Sequence, residues 1–435
     1  MSKFIPTEAQ AAAMYTRGNT VLVSAGAGSG KTKVLTERLM SYICDSEHPA
    51  DLDSFLIITF TRAAAGELRG RIMEELGTRL AENPGSQRLR RQSALCRRAQ
   101  IGTIHSFCAT LLRENSQLAE INPDFKIADD DRAAAMKSAA LERVMDAHYE
   151  APDKYPGFLL LADTVGAGKD DSKLSSLVLS LHGKMQCHAR PEDWAKKQVE
   201  LLSSRVEDAG ETPWGREILT SSARTAEYWS DELDRLMQDM NAEESGKIAA
   251  AYMDSISVTA EQIRELRRRL DIGWESARAC LPIEFPKLKA LRNSPDPVLS
   301  DRVKNRRKSC NKAMDALEVS LGAPSETVLS EMAATAPAMQ ALLALTLDFD
   351  REYSAAKRRA GLLDYSDLEH MAAQLLTNAD GSPTELACRM SERFTEVMVD
   401  EYQDVSQVQD TIFKAVSDEG RKLFLVGDVK QSIYR

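Results

Sequence analysis

Two stretches at opposite ends of the chain constrain its fold more than anything between them. The first is Thr20-Val-Leu-Val-Ser-Ala-Gly-Ala-Gly-Ser-Gly-Lys-Thr32, an apolar strand running into a Gly-rich loop that opens an amphipathic helix. The second is Val397-Met-Val-Asp-Glu401, an apolar strand closing on two carboxylates. Backbone N–H groups of such a loop, with the N-terminus of the helix behind it, favour phosphate oxygens. Ser24, Ala25, Gly26, Ala27, Gly28, Ser29 and Gly30 form the expected cradle. Lys31 is expected to reach the outer phosphates, and the Thr32 hydroxyl to serve Mg²⁺. Asp400 is the expected partner of the same ion. Glu401 is the expected base that orients and deprotonates an attacking water. A carboxylate directly after the metal aspartate suits hydrolysis better than transfer, so the two stretches together describe a nucleoside-triphosphate hydrolase. The strict loop pattern has glycine where this chain has Ala25; Gly26, Gly28 and Gly30 still allow a close backbone approach to phosphate.

The spacing of these stretches dictates the architecture. Strands over 20–24, 54–60 and 99–102 alternate with helices over 31–44, 62–76 and 105–116, and strands over 396–399 and 422–426 resume the pattern. Alternation of this kind implies a parallel sheet covered on both faces. The loop and the paired carboxylates must share one sheet, yet roughly 370 residues separate them. The expectation is an α/β fold: a RecA-like P-loop NTPase parallel-sheet domain made of 1–126 and 356–435, with a large all-helical insertion over 127–355. Within the insertion, Leu174, Leu177, Val178 and Leu181 recur at helical spacing. So do Ile256, Ile263, Leu266 and Leu270, and again Leu342, Leu345, Phe349 and Tyr353. These stripes read as core. Gly361 reads as a helix terminator.

Bulk properties narrow the function class. A length of 435 residues supports two or more domains. The net charge of −10 argues against nucleic acid binding over the whole surface and leaves room for a local basic channel. Three basic clusters (Arg88, Arg90, Arg91, Arg97, Arg98; Arg264, Arg267, Arg268, Arg269; Arg302, Lys304, Arg306, Arg307, Lys308) are read first as solvated helix faces. Seven dispersed cysteines without a C-x-x-C pair indicate neither zinc nor an iron–sulfur cluster and fit a reducing cytoplasm. No apolar run of membrane-spanning length is expected, and no membrane partner.

Between the two ends lies an ordered set of further motifs. Thr7-Glu-Ala-Gln10 precedes the loop, Ile58-Thr-Phe-Thr-Arg-Ala-Ala-Ala65 follows the second strand, and Gly102-Thr-Ile-His-Ser-Phe-Cys108 follows the third. Gly361-Leu-Leu-Asp-Tyr-Ser-Asp-Leu368, Val399-Asp-Glu-Tyr-Gln-Asp404 and Val426-Gly-Asp-Val-Lys-Gln-Ser-Ile-Tyr-Arg435 complete it. As a set they resemble the superfamily-1 DNA helicases of the UvrD/RecB type. The lysine in the last motif, the length of the insertion, and its text Lys173-Leu-Ser-Ser-Leu-Val-Leu-Ser-Leu181 and Pro191-Glu-Asp-Trp194 resemble the bacterial AddAB-type helicase–nucleases.

The resemblance implies ATP and Mg²⁺ as cofactors. It implies that Gln10 reads the adenine edge, an amide offering one donor and one acceptor. It puts Gln403 and Gln431 at the γ-phosphate, with Asp404 and Asp428 orienting neighbouring loops. Phe60, His105 and Tyr434 become candidates to stack on bases of single-stranded DNA, with Thr61, Arg62 and Thr103 on its phosphates. Implied partners are single-stranded DNA, duplex ends and an AddB-type subunit in a heterodimer, in the bacterial cytoplasm, with 3′-to-5′ movement at double-strand breaks. Family members carry a second motor half and, in the AddAB type, a nuclease domain, so residues 1–435 alone are expected to act as half a motor. The competing readings are a stand-alone UvrD-type repair helicase, a non-motor DNA-binding scaffold and a P-loop kinase. The intact set of Lys31, Thr32, Asp400, Glu401 and Gln431 speaks against the scaffold, and the Gly-Thr-Ile-His-Ser-Phe element against the kinase.

Overall fold

Burial along the strands separates the centre of the sheet from its edges. The computed structural model describes residues 5–26, 28–166, 171–203, 206–241, 246–428 and 430. From the N-terminus, α1 (Glu8–Tyr15) leads to β1 (Val21–Ser24), α2 (Lys31–Ile43), β2 (Phe55–Thr59) and α3 (Arg62–Glu82). Next come α4 (Gln87–Leu95), β3 (Gln100–Thr103) and α5 (Ile104–Glu114). The chain then leaves through β4 (Lys126–Ile127) into α6 (Asp130–Glu150), α7 (Phe158–Gly166), α8 (Ser172–Met185) and α9 (Pro191–Ser203). Helices α10 (Pro213–Met240), α11 (Gly246–Leu270), α12 (Trp274–Arg278), α13 (Pro297–Leu321) and α14 (Ser325–Arg359) follow. It returns through β5 (Leu362–Leu363), α15 (Tyr365–Leu376), α16 (Glu385–Arg393), β6 (Glu396–Val399), α17 (Gln407–Ala415) and β7 (Leu423–Gly427).

The main sheet has the order β1-β7-β6-β2-β3, and every pair is parallel. Every residue of β2, β6 and β7 is buried, whereas β1 and β3 bury alternate residues less completely. Near-continuous apolar sequence therefore belongs to the three central strands, as burial on both faces requires. Helices α2 and α3 cover one face through Val34, Leu35, Leu39, Leu68 and Ile72. Helices α5, α15 and α17 cover the other through Phe107, Leu111, Leu368 and Ile412. Sequence order and spatial order differ: the chain ends of the fold, β1 and β7, are neighbours, with Val21 opposite Phe424 and Ser24 opposite Gly427.

The exit and return strands β4 and β5 pair in parallel, Lys126 against Leu362 and Ile127 against Leu363. The chain divides into two compact units, residues 1–197 with 341–435, and residues 198–340. The second unit is narrower than the 127–355 insertion expected from sequence texture. Side-chain chemistry explains this: His182 of α8 bonds Asp350 at 2.9 Å and lies edge-on to Phe349, and His148 of α6 bonds Asp348 at 3.0 Å. These pairs tie α6 and α8 to the second half of α14, within the sheet unit.

The second unit has its own helical core, including Leu233, Ile256, Ile263, Leu266, Trp274 and Met314. The stripes on α11 and α14 are core as expected; on α8, Leu174 and Val178 are buried but Leu177 is 41 % exposed. Helix α14 corrects the expectation of no membrane-length apolar run: by length and composition it is long and apolar enough to cross a bilayer. Its residues Leu345, Phe349 and Tyr353 are buried in protein.

Candidate active site

Most helices of the sheet unit begin on a side-chain cap; α2, like α8, does not. Thr61, Ser86, Thr103, Asp129, Asp364, Thr384 and Ser406 each accept a hydrogen bond from the third N–H of the helix that follows. Helix α2 begins at Gly30 with no side-chain cap, and its first intrahelical bond runs from Val34 N–H to the Gly30 carbonyl at 2.9 Å. The N–H groups of Lys31 and Thr32 lead the helix, and its dipole favours an anionic acceptor there. Gly28 and Gly30 have φ of 76° and 85°, a region that penalises any Cβ. Ala25 needs no such freedom, because its N–H continues the sheet ladder to the Gly427 carbonyl at 3.1 Å. Alanine therefore fits where the strict pattern has glycine. Ala27 lies outside the described residues.

Because β7 lies between β1 and β6, the loop after β1 and the carboxylates after β6 stand two strand spacings apart, about 10 Å. Lys31 and Thr32 open α2, and the Lys31 ammonium spans the gap to lie 4.0 Å from Glu401 Oε2. Asp400 accepts from the Glu401 N–H at 3.0 Å. Burial pushes the Asp400 carboxyl above the usual range, and the adjacent Glu401 charge pushes the same way. Two close carboxylates, one of them desolvated, suit a cation better than they suit each other. Glu401 itself occupies the left-handed region, φ 53°, a strained conformation for a residue with a side chain.

Gln403 holds this turn together. Its amide N–H₂ donates to Glu401 Oε2 at 2.7 Å and Asp404 Oδ2 at 3.3 Å, and its carbonyl accepts from the Asp428 N–H at 2.8 Å. The contact requires Gly427: a Cβ there would stand 2.8 Å from Gln403 Oε1 and 3.2 Å from Gln403 N. Gln10 accepts from the Thr7 N–H at 2.9 Å and donates to the Ser29 carbonyl at 3.1 Å, tying α1 to the loop. One N–H and one lone pair of its amide stay available for a base edge. Ser29 closes the loop on the Gly26 carbonyl through its hydroxyl at 2.7 Å, and Ser24 ends β1 opposite Gly427.

The other end of the same sheet edge carries the DNA candidates. Thr59 of β2 pairs with Thr103 of β3, so the segments that follow both strands emerge side by side. Phe60 is 52 % exposed, and Thr61 and Arg62 are exposed too. The Thr61 and Thr103 hydroxyl oxygens are engaged as helix caps, and Thr103 is buried. His105, in the first turn of α5, bonds Glu369 at 2.9 Å and lies against the Tyr365 ring at 4.4 Å. Gln431 and Tyr434 lie outside the described residues. The basic clusters are largely consumed internally: Arg91 pairs with Asp51, Arg264 with Asp234, Arg269 with Glu265, and Arg306 with Glu232.

Sequence reasoning missed Arg38 and Glu396, which are almost fully buried. Arg38 Nε donates to Glu396 Oε2 at 2.8 Å, a second nitrogen bonds Oε1, and Tyr42 O–H donates to Oε1 at 3.1 Å. Burial pushes the Tyr42 hydroxyl up to about 12, with the Glu396 charge adding to it. The guanidinium also lies 4.6 Å from the Phe424 ring centroid. The group joins the loop helix α2 to β6 and β7. The readable signal was a charged residue in the apolar stripe of α2 and another opening an apolar strand.

A five-stranded parallel sheet with a glycine-rich, uncapped loop–helix junction facing paired carboxylates defines a P-loop nucleotide-binding domain. The sequence carries this class to a family. Residues 6–435 match the UvrD/REP helicase N-terminal domain, and the chain belongs to that family. It is similar to AddA, a subunit of the ATP-dependent helicase/nuclease, from Desulforudis audaxviator, with 38 % identity over 443 residues covering 99 % of this chain and 36 % of the relative. The proteins of the same name from Acetivibrio thermocellus and Bacillus pumilus are each 35 % identical, over 99 % of this chain and 35 % of theirs. The chain thus spans about a third of the length of these relatives. The resemblance carried by the motifs and the expected α/β fold with a parallel sheet are both borne out.

Proposed function

We propose that this chain is the ATP-binding part of a DNA helicase that works as one subunit of a helicase–nuclease. The observation that carries the reading is the uncapped start of α2 beside Lys31, Asp400 and Glu401, on the sheet edge that also presents Phe60 and His105. Nucleotide and strand candidates thereby share one rigid platform, the arrangement a translocase needs. The relatives' name, which makes each of them one subunit of an ATP-dependent helicase/nuclease, supports a DNA substrate and a partner chain. In full, the proposal is 3′-to-5′ translocation on single-stranded DNA from duplex ends, an AddB-type partner, double-strand break repair and a bacterial cytoplasmic location. The motor domain is proposed to comprise 1–126 and 356–435, with 127–355 as its insertion.

The cradle fits ATP with Mg²⁺: open N–H groups for phosphate, and Thr32 and Asp400 for the ion. Bound Mg²⁺ supplies charge neutralisation at the phosphates. Lys31 binds the outer phosphates. Glu401 orients a water and accepts its proton, and Gln403 holds Glu401 in place through the 2.7 Å bond. The experiment compares Lys31→Ala with Glu401→Gln in the intact protein. The lysine variant is expected to lose nucleotide affinity; the glutamine variant is expected to bind ATP normally and lose turnover by about 100-fold or more. Equal loss of binding in both would refute the division of roles.

A further inference from the structure

We infer that Glu369 is a positioning residue that fixes His105 on the DNA side of the sheet edge and ties it to the carboxylate loop of the nucleotide site. The inference rests on the reading of His105 as a contact to single-stranded DNA. Glu369 lies in α15, a helix outside both nucleotide motifs, and its side chain is only 10 % exposed. One oxygen, Oε1, accepts from two donors: His105 Nε2 at 2.9 Å and Gln409 Nε2 at 2.7 Å. A buried carboxylate needs such donors, and each donor is in turn held by it. Tyr365, one helical turn before Glu369, lies against the His105 ring at 4.4 Å and 32°. Helix α15 thus grips one edge of the imidazole with a carboxylate and one face with a phenol ring.

What remains of His105 is its Nδ1 edge and its second face, with the side chain 31 % exposed. A base stacking on that face would meet a ring already immobilised, and so would lose less entropy on binding than with a free side chain. The opposite end of the link reaches the nucleotide side. Gln409 is the third residue of α17, and its carbonyl accepts from the Ser406 N–H at 3.3 Å, closing the cap of that helix. Ser406 stands two residues after Asp404, which shares the Gln403 amide with Glu401. The path from the carboxylate turn to the imidazole therefore runs through the backbone of residues 404–406 and two side chains, Gln409 and Glu369.

The test uses ATP turnover of the intact protein titrated with oligothymidylate, for wild type, His105→Ala, Glu369→Ala, Glu369→Gln and the His105→Ala/Glu369→Ala double variant. Glu369→Ala is expected to raise the oligonucleotide concentration for half-maximal stimulation about tenfold, while turnover at saturating DNA stays within about twofold. Glu369→Gln keeps an acceptor for both donors and should shift that concentration less than about threefold. The double variant should be no weaker than His105→Ala alone, because the carboxylate acts through the imidazole. Multiplying effects in the double variant would overturn the inference, and so would a fall in turnover with no change in DNA concentration. Should Glu369→Ala fold poorly, Gln409→Leu keeps the test open: it removes only the far donor and should shift the DNA concentration about threefold, no shift counting against the link. A wild-type DNA response in His105→Ala would instead remove the DNA reading of His105 itself. A weakened His105→Ala beside a normal Glu369→Ala would leave that reading standing and sink only the positioning role.

Discussion

Replacing Arg38 with methionine tests how the nucleotide site is held together, since it touches no proposed ligand. Methionine fills much of the arginine volume and removes its charge. Glu396 would then keep the Tyr42 hydroxyl at 3.1 Å but lose the guanidinium that grips both its oxygens. Removing one partner of a buried ion pair costs about 3–5 kcal/mol, because the charge left behind cannot reach water. That is a large part of the roughly 5–15 kcal/mol that keeps a domain folded. The loss of the stack on Phe424 adds to it. The double variant Arg38→Met/Glu396→Met removes both charges and should recover most of the loss.

Urea unfolding of the single and double variants measures the loss and its recovery. A double variant as unstable as the single would refute the reasoning.

Two further perturbations probe the carboxylate turn and the contact between α14 and α15. Gly427→Ala places a methyl against the Gln403 side chain and main chain at 2.8 and 3.2 Å, so a rotamer change alone cannot relieve it. Overpacking of about 1–3 kcal/mol at the turn that holds Glu401 should lower the melting temperature by a few degrees and ATP turnover about tenfold or more; wild-type turnover would refute the role given to this contact. Lys357→Met removes the ammonium that lies 2.9 Å from Asp364 and 2.7 Å from Asp367. Burial, with the Asp364 charge, already pushes Asp367 up to about 6, so this group favours the fold below that pH and costs stability above it. The variant should lose about 3–5 kcal/mol at pH 8 and visibly less at pH 5, read by urea unfolding.

Local chemistry was legible in the sequence because it depends on neighbours along the chain. An apolar strand, three glycines, Lys31 and Thr32 follow one another directly, so strand, cradle and helix could be read without knowing the fold. The apolar runs at 397–399 and 423–426 announced strands buried on both faces for the same reason, and the structure places them at the centre of the sheet. Helical stripes such as Ile256, Ile263, Leu266 and Leu270 named their own core.

Only the tertiary structure decided which distant residues meet. The order β1-β7-β6 sets Gly427 between the loop and the carboxylates and makes its missing side chain matter to Gln403. Arg38 and Glu396 lie 358 positions apart, and no local pattern couples them. Thr61 and Thr103 read as candidates for phosphate; that their hydroxyl oxygens also cap α3 and α5 was decided by where those helices begin, and a capping hydroxyl still has its O–H to donate. The basic clusters were spent on carboxylates from neighbouring turns and helices. Glu369 and Gln409, one on α15 and one on α17, gained their meaning from a shared oxygen that only packing brings together. Sequence specifies chemistry that is contiguous along the chain; interactions between separated elements depend on packing, and packing is a property of the whole sheet.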